Sequence, residues 1–294
     1  MIKGKGKLRA LDAPVYRYWQ AVYLSFYSYR LYVDVFKRWR GYGILYLLFL
    51  LTLTTIPLAL RMIVEFNTFF NEQVLFPLQE LPPLYVQDGK ISLDKPTPYF
   101  IKNKGGEVVA IVDTTGSITS IKNKQYPHLT MLITSNQIHF RPPVPQLFFS
   151  QQIPGTLKED SVYTQTLTNN TNEIFVAKKW VQASGILNMK LLADALIYPM
   201  LLGFFISLYL VLMLILGFLG QVFASTLFGL KLRFKDSTRL FAVSVTPQVI
   251  FSTLLLIAKI SFAASGLVNM ILVAVYYSYA VASVKREHTK MVLS

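Results

Sequence analysis

The sequence contains no cysteine, which excludes disulfides, thiolate nucleophiles and cysteine-ligated metal sites. Charge is scarce too: Asp, Glu, Lys and Arg make up 15% of 294 residues, against about a quarter in an ordinary soluble chain. The three histidines, His128, His139 and His288, fall in no short ligand spacing such as H-E-x-x-H. A G-x-S-x-G nucleophile elbow is also missing. Gly4-Lys5-Gly6-Lys7 lacks the upstream Gly and the following Ser or Thr of a phosphate loop. No repeat of fixed period runs through the chain, so solenoids and propellers are excluded. No catalytic residue, metal site or cofactor is therefore expected.

Apolar residues are what the chain has, at 53%. The first long run, Tyr42 to Met62, carries no charge before Arg61, and roughly 20 apolar residues suffice to cross about 30 Å of hydrocarbon. About forty residues precede it, which argues for a retained anchor over a cleaved signal. Three more runs, 195–219, 240–258 and 262–282, are each long enough to span with ordinary tilt. Between the first and second runs, residues 63–190 alternate polar and β-branched residues with Pro, Gly and Asn, the pattern of a domain built from short strands. The expected fold is a multipass α-helical membrane protein with four transmembrane helices. An extracytoplasmic α+β domain with a β-rich core lies between helix 1 and helix 2.

Orientation follows from the basic residues, which stay cytoplasmic when they sit in short flanking segments. Residues 1–41 hold nine Lys and Arg against Asp12 and Asp34. The loop 220–239 holds Lys231, Arg233, Lys235 and Arg239 against Asp236, and the tail 283–294 holds Lys285, Arg286 and Lys290 against Glu287. Residues 64–195 carry eleven basic and eleven acidic residues. The excess behind the net charge of +14 thus falls in the flanking segments, apart from Arg61 and Lys259 at outer helix ends. Both termini are expected in the cytoplasm of a bacterium facing an anionic inner leaflet, and no nucleic-acid partner is implied.

Segment 15–40 interleaves its basic residues with Tyr16, Tyr18, Trp19, Tyr23, Tyr27, Tyr29, Tyr32 and Trp39. Aromatic residues with one wet edge favour the headgroup level. The segment reads either as a helix lying on the inner leaflet or as one packed against the ends of the spans, turning into helix 1 near Gly41 and Gly43. The loop Phe228–Arg239, with Lys231, Arg233 and Lys235, reads first as a topogenic basic loop, and otherwise as a second interfacial element or a contact for a cytoplasmic partner.

Within 63–190, Leu84–Val86 and Ile91–Leu93 flank Asp88-Gly89, which marks a hairpin. Val108–Val112 is an apolar run bounded by glycines and reads as a buried strand. Strands are also expected at Ser117–Ile121, Leu129–Thr134 and Gln137–Phe140, with Pro142, Pro143 and Pro145 ending regular pairing. Residues 67–81 and 160–186 read as helical, the second interrupted at Asn169-Asn170-Thr171-Asn172, whose first three residues also fit a glycan acceptor.

Asp113-Thr114-Thr115-Gly116 is the most enzyme-like string. An aspartic protease needs Asp-Thr/Ser-Gly, and the inserted Thr breaks that spacing; a phospho-accepting Asp would want Lys next. The simpler reading is a turn in which the Asp side chain caps the backbone and Gly closes it, with a ligand contact as the functional alternative. In the spans, no ionisable group falls near a midplane, which disfavours an ion-coupled carrier. Gln248, Ser252 and Thr253 beside Pro247, and Asn269, read as polar contacts between helices.

Ser25-x-Tyr27-Ser28-x-x-x-Tyr32 before Trp39-x-Gly41, then Val112-Asp113-Thr114-Thr115-Gly116, then Arg239-Leu240-Phe241 with Pro247, resemble the bacterial membrane family called domain of unknown function 1189. Some of its members are named maltodextrin-utilisation proteins. The resemblance implies a multipass protein of the cytoplasmic membrane and no catalytic residues. The layout of one span, an outer domain and three spans is also similar to the FtsX and MacB type of ATPase-coupled subunit. Two functions follow: a non-enzymatic protein whose outer domain binds or senses an envelope partner or ligand, and an accessory subunit of an ATPase-coupled transport or envelope complex. An enzyme acting on the envelope through Asp113 or His139 ranks third.

Overall fold

The computed structural model describes residues 13–141, 162–168 and 172–293. Pro142, Pro143 and Pro145, the tripeptide Asn169-Asn170-Thr171 and the Gly4 to Lys7 string lie outside them. The chain divides into two compact units, Met1–Arg61 with Ile197–Ser294, and Met62–Leu196. Among the described residues four helical stretches are long and apolar enough to cross a membrane: Ile44–Glu80, Ile186–Phe228, Phe234–Ala258 and Ser265–Thr289.

In the first unit the aromatic lead-in folds as two helices, α1 (Tyr18–Leu24) and α2 (Tyr29–Arg38). Leu31, Tyr32 and Val35 of α2 are buried in one core with Trp39, Tyr46, Phe241, Ala280 and Val281. Their i, i+1, i+4 spacing places them on one helical face. One face of this segment thus packs against the spans, while Trp19, Tyr23 and Tyr27 remain exposed. Positive φ at Gly41 and Gly43 turns the chain into α3 (Ile44–Phe70), as only glycine does without strain.

The other long helices are α6 (Ile186–Phe228), α7 (Phe234–Ser244), α8 (Thr246–Ala258) and α9 (Ser265–Leu293). Residues 229–233 alone form the connection expected over 220–239. Helices α7 and α8 divide the third apolar stretch at Val245, just before Pro247. Every residue from Ser237 to Val249 is buried, so α7 and the start of α8 run through the middle of this unit. A Cβ on Gly43 would lie 2.8 Å from Ala242 Cβ and 3.1 Å from Arg239 Cα. A Cβ on Gly217 would meet Thr238, and one on Gly220 would meet Tyr277 and Ser237. Hydrocarbon gives apolar helices little reason to associate, and such close approach is what builds the dispersion contacts that hold them.

The second unit is the inserted α+β domain. After α3 a π-turn over Asn71–Leu75 leads into α4 (Phe76–Glu80). β1 (Leu84–Gln87) pairs antiparallel with β2 (Lys90–Ser92) around Asp88 and Gly89 at φ 49° and 72°, the two-residue hairpin geometry with both φ positive. The opposite edge of β1 pairs with β8 (Glu173–Phe175). The second sheet has the order β3 (Tyr99–Lys102), β4 (Val108–Val112), β5 (Met131–Ile133), β6 (Gln137–Phe140), β7 (Tyr163–Thr166). All its pairings are antiparallel except β4 with β5. Parallel neighbours need a crossover, and residues 113–130 supply it without a helix. Ile118, Ile121 and Leu129 of that crossover are buried on Ile111 and Leu132, while Val109, Ala110 and Val112 join a second core with Leu84, Val86, Ala177 and Val181.

Two expectations are corrected here. Ser117–Ile121 is not a strand but part of the crossover; its Ser-Ile-Thr-Ser-Ile alternation looks like a strand, yet Ser117 and Ile118 are drawn to the Asp113 carboxylate. Among the described residues, the stretch 160–186 is helical only at its end, in α5 (Ala177–Ala183) and the start of α6. Its Tyr-Thr-Gln-Thr and Glu-Ile-Phe segments form β7 and β8, where β-branched and aromatic residues suit a pleated surface.

Candidate functional site

The Asp113 side chain is fully buried and follows directly from β4. Its Oδ1 accepts from the Thr115 backbone N–H at 2.9 Å and the Thr115 hydroxyl at 2.6 Å. Its Oδ2 accepts from the Ser117 hydroxyl at 2.8 Å and the Ile118 N–H at 2.6 Å. Burial by itself would raise this pKa, but the Thr115 hydroxyl, the Ile118 N–H, the Ser117 hydroxyl and the Thr115 N–H favour the ionised form and hold it at about 2. Gly116 turns the loop at φ 81°, and Thr114 contacts Thr97 at 3.4 Å. The backbone N–H of Asp113 donates to Ile133 O at 2.7 Å, which fixes the start of the crossover to β5. Four donors onto one carboxylate make a loop clasp rather than a proton acceptor near neutrality.

The histidines are placed apart. His128 Nε2 stands 3.4 Å from Glu107 Oε1 with both side chains solvent-exposed, and His139 Nδ1 shares a hydrogen with Thr164 Oγ1 at 2.9 Å. Among the described residues no group of three or more His, Cys, Asp or Glu is placed to hold a metal ion.

Lys231, Arg233 and Lys235 are exposed, with Lys235 Nζ 5.9 Å from the centre of the Tyr42 ring. Arg239, the fourth basic residue of this stretch, turns inward. It pairs with Asp236 and donates to the carbonyls of Trp39 and Phe36, so a guanidinium fork closes the C-terminal end of α2. The sequence offers this residue as loop charge and as part of the Arg239-Leu240-Phe241 string, and its inward turn is legible in neither.

A polar chain crosses the spans of the first unit. Tyr209 of α6 donates to Gln248 Oε1 at 3.0 Å, Gln248 Nε2 donates to Ser252 Oγ at 2.9 Å, and Ser252 donates to Asn269 Oδ1 at 2.7 Å. Tyr46 and Thr246 share a hydrogen bond of 2.7 Å, and Ser237 links the Gly217 carbonyl at 2.6 Å to the Tyr277 hydroxyl at 2.7 Å. Beside this chain lies a cavity of about 350 Å³ between α6, α7, α8 and α9, walled by Leu212, Leu216, Phe223 and Val273, with Gln248 and Asn269 on its surface.

The family model described as "Protein of unknown function (DUF1189)" matches residues 19–281. The chain belongs to this family. Among curated proteins, this chain is 26% identical over 118 residues to the uncharacterized protein RP489 of Rickettsia prowazekii. That alignment covers 35% of the DUF1189 chain and 40% of the relative, less than half of either. No solved structure matches. In this DUF1189 member the residues that the sequence marks as chemical, Asp113, His128 and His139, are not brought together. Those it reads as contacts between helices, Gln248, Ser252 and Asn269, do meet. The spacing Gly217-x-x-Gly220 is the unread signal of where α6 packs closely on Ser237, Thr238 and Tyr277.

Proposed function

We propose that this multipass membrane protein is a non-enzymatic component of the bacterial cytoplasmic membrane whose inserted domain binds or senses an extracytoplasmic partner or ligand. One observation carries the reading. A domain with its own two cores is inserted between the first and second spans, while its most enzyme-like side chain, Asp113, is committed to four hydrogen bonds within its own loop.

Orientation is supported by parity and by contacts. Four crossings leave both termini on one side and the insertion on the other. In keeping with that, the N-terminal helices are tied to the end of α9: Lys37 Nζ lies 3.2 Å from Glu287 Oε1, and the Tyr279 hydroxyl donates to Tyr27 O at 2.8 Å. Basic residues in these segments and in 229–235 favour the cytoplasm for that side.

The cysteine-free chain allows a direct test with single cysteines at exposed positions and a membrane-impermeant maleimide. Lys124→Cys reacts in intact spheroplasts, whereas Lys285→Cys reacts only after permeabilisation; the reverse pattern sinks the reading. The exposed Lys231, Arg233 and Lys235 favour a second reading, an accessory subunit that docks an acidic face of an ATPase. Stoichiometric recovery of an ATPase from native membranes, lost when all three are changed to Glu, selects it.

A further inference from the structure

The cavity beside the polar chain has a chemical direction. Each hydrogen bond from Tyr209 through Gln248 and Ser252 passes its donor toward Asn269, whose Oδ1 receives the last one. The chain therefore ends on an amide nitrogen. Among the described residues nothing accepts a bond from Asn269 Nδ2, and Asn269 lines the cavity beside Gln248, which is 9% exposed. In hydrocarbon an amide N–H without an acceptor costs on the order of several kcal/mol, so an occupant that brings an acceptor oxygen is favoured over one that does not.

Two features define the rest of the occupant. Among the described residues no Asp, Glu, Lys, Arg or His lines the cavity, so a charged head would enter without a counter-charge. Ser252 lies seven residues before Lys259, the left-handed cap of α8, which is roughly 10 Å of helix rise in a half-bilayer of roughly 15 Å. Asn269 is bonded to Ser252 and shares its depth. A bulk phospholipid would have to drag its phosphate far into the hydrocarbon to bring an ester carbonyl there. A molecule with an uncharged head reaches that depth freely, and the leucines and valine of the wall accommodate its chain.

We propose that this cavity binds an uncharged, chain-bearing lipid whose head presents a carbonyl oxygen to Asn269 Nδ2. Isoprenoid quinones and diacylglycerols share that chemistry. The site does not depend on what the inserted domain recognises.

The test uses the full chain in phosphatidylcholine nanodiscs, with ubiquinone-1 and dioctanoylglycerol as probes and thermal unfolding as the readout, since a ligand that binds only the folded state raises its Tm. A saturable rise with ubiquinone-1 supports the proposal and assigns a quinone; a rise with dioctanoylglycerol supports it and assigns a glycerolipid. Asn269→Leu is expected to weaken binding about tenfold, the loss of one hydrogen bond in an apolar site. Ala274→Trp, which places an indole in the cavity from a residue of its wall that makes no side-chain hydrogen bond, is expected to abolish it while leaving the unliganded Tm near that of the parent. If either variant does not fold, mass spectrometry of lipid retained by the parent protein from native membranes decides, with enrichment of one neutral lipid over the bulk expected. No Tm rise together with no enrichment overturns the proposal, as does a rise that Ala274→Trp leaves intact. Crosslinking of Met270→Cys to a second polypeptide in place of lipid retention overturns it as well.

Discussion

The hydroxyls of Tyr46 and Thr246 lie 2.7 Å apart, 200 residues apart in sequence and both buried. They join the beginning of α3 to the beginning of α8 in the middle of the first unit. Thr246 also reaches the Val243 carbonyl at 2.8 Å, so it keeps one partner when the other is removed. Tyr46→Phe should therefore cost about 1 kcal/mol, read as a lowered midpoint in thermal unfolding of the detergent-solubilised protein. An unchanged midpoint would show that the hydroxyl adds nothing to the packing of its ring.

A larger loss is expected from Gly220→Ala, because the new methyl group would occupy the position of the Tyr277 hydroxyl and crowd the Ser237 hydroxyl. Overpacking of this kind costs about 1–3 kcal/mol. Adding Tyr277→Phe to Gly220→Ala should recover part of that loss by vacating the hydroxyl's place. A double variant no better than the single one would place the clash elsewhere.

Acid sensitivity of the inserted domain should trace to Asp113. Its folded pKa of about 2 lies below the reference 3.8, so ionisation favours folding, fully above the unfolded pKa and decreasingly as pH falls toward 2. The difference corresponds to about 2 kcal/mol. Asp113→Asn should lose roughly that amount at pH 7, and the gap to the parent should close between pH 4 and pH 2. Hydrogen exchange at β4 and β5 followed across that range measures it, and a gap independent of pH would contradict the assignment.

Arg239→Met removes the fork that closes α2 and leaves Asp236 without its cation, a change that typically costs about 3–5 kcal/mol when the pair is buried. Freed from the spans, the lead-in should become a substrate for trypsin at Arg17 and Arg30. Faster cleavage there, with the rest of the chain intact, is the expected result in a timed digest. Equal rates in parent and variant would mean that α2 is held by its apolar face alone.

The four spans were legible because run length is a direct physical requirement of the bilayer, and the Asp88-Gly89 hairpin because its turn admits few residues. The edge strands β3 and β7 were not, since Tyr-Phe-Ile-Lys and Tyr-Thr-Gln-Thr are short, partly polar segments whose pairing is set by strands far away in sequence. Ser117–Ile121 misled for the opposite reason: its alternation is genuine, but a carboxylate four residues upstream claims its polar groups. Gln248, Ser252 and Asn269 could be read as interhelical contacts, whereas the cavity that Gln248 and Asn269 line could not. It exists only where the side chains of four separate helices fail to fill the space between them.

The burial of α7 bears on how the protein is made. An Arg or Asp placed in a lone membrane helix raises its insertion cost by about 2.5–3.5 kcal/mol at the centre and less toward an end, and α7 carries Lys235, Asp236 and Arg239 together with Ser237, Thr238 and Ser244. Arg239 pairs with Asp236, and Thr238 and Ser244 bond to carbonyls, within α7 itself, but its other remedies come from elsewhere in the chain: the carbonyls of Phe36 and Trp39, the Gly217 carbonyl, and the Tyr277 hydroxyl. During synthesis the third span therefore leaves the translocon with its partners α2 and α6 already made and α9 still to come. Its commitment to the membrane is a collective event of the nascent chain, and a truncation that removes α9 should leave the third span slow to insert and open to quality-control proteolysis.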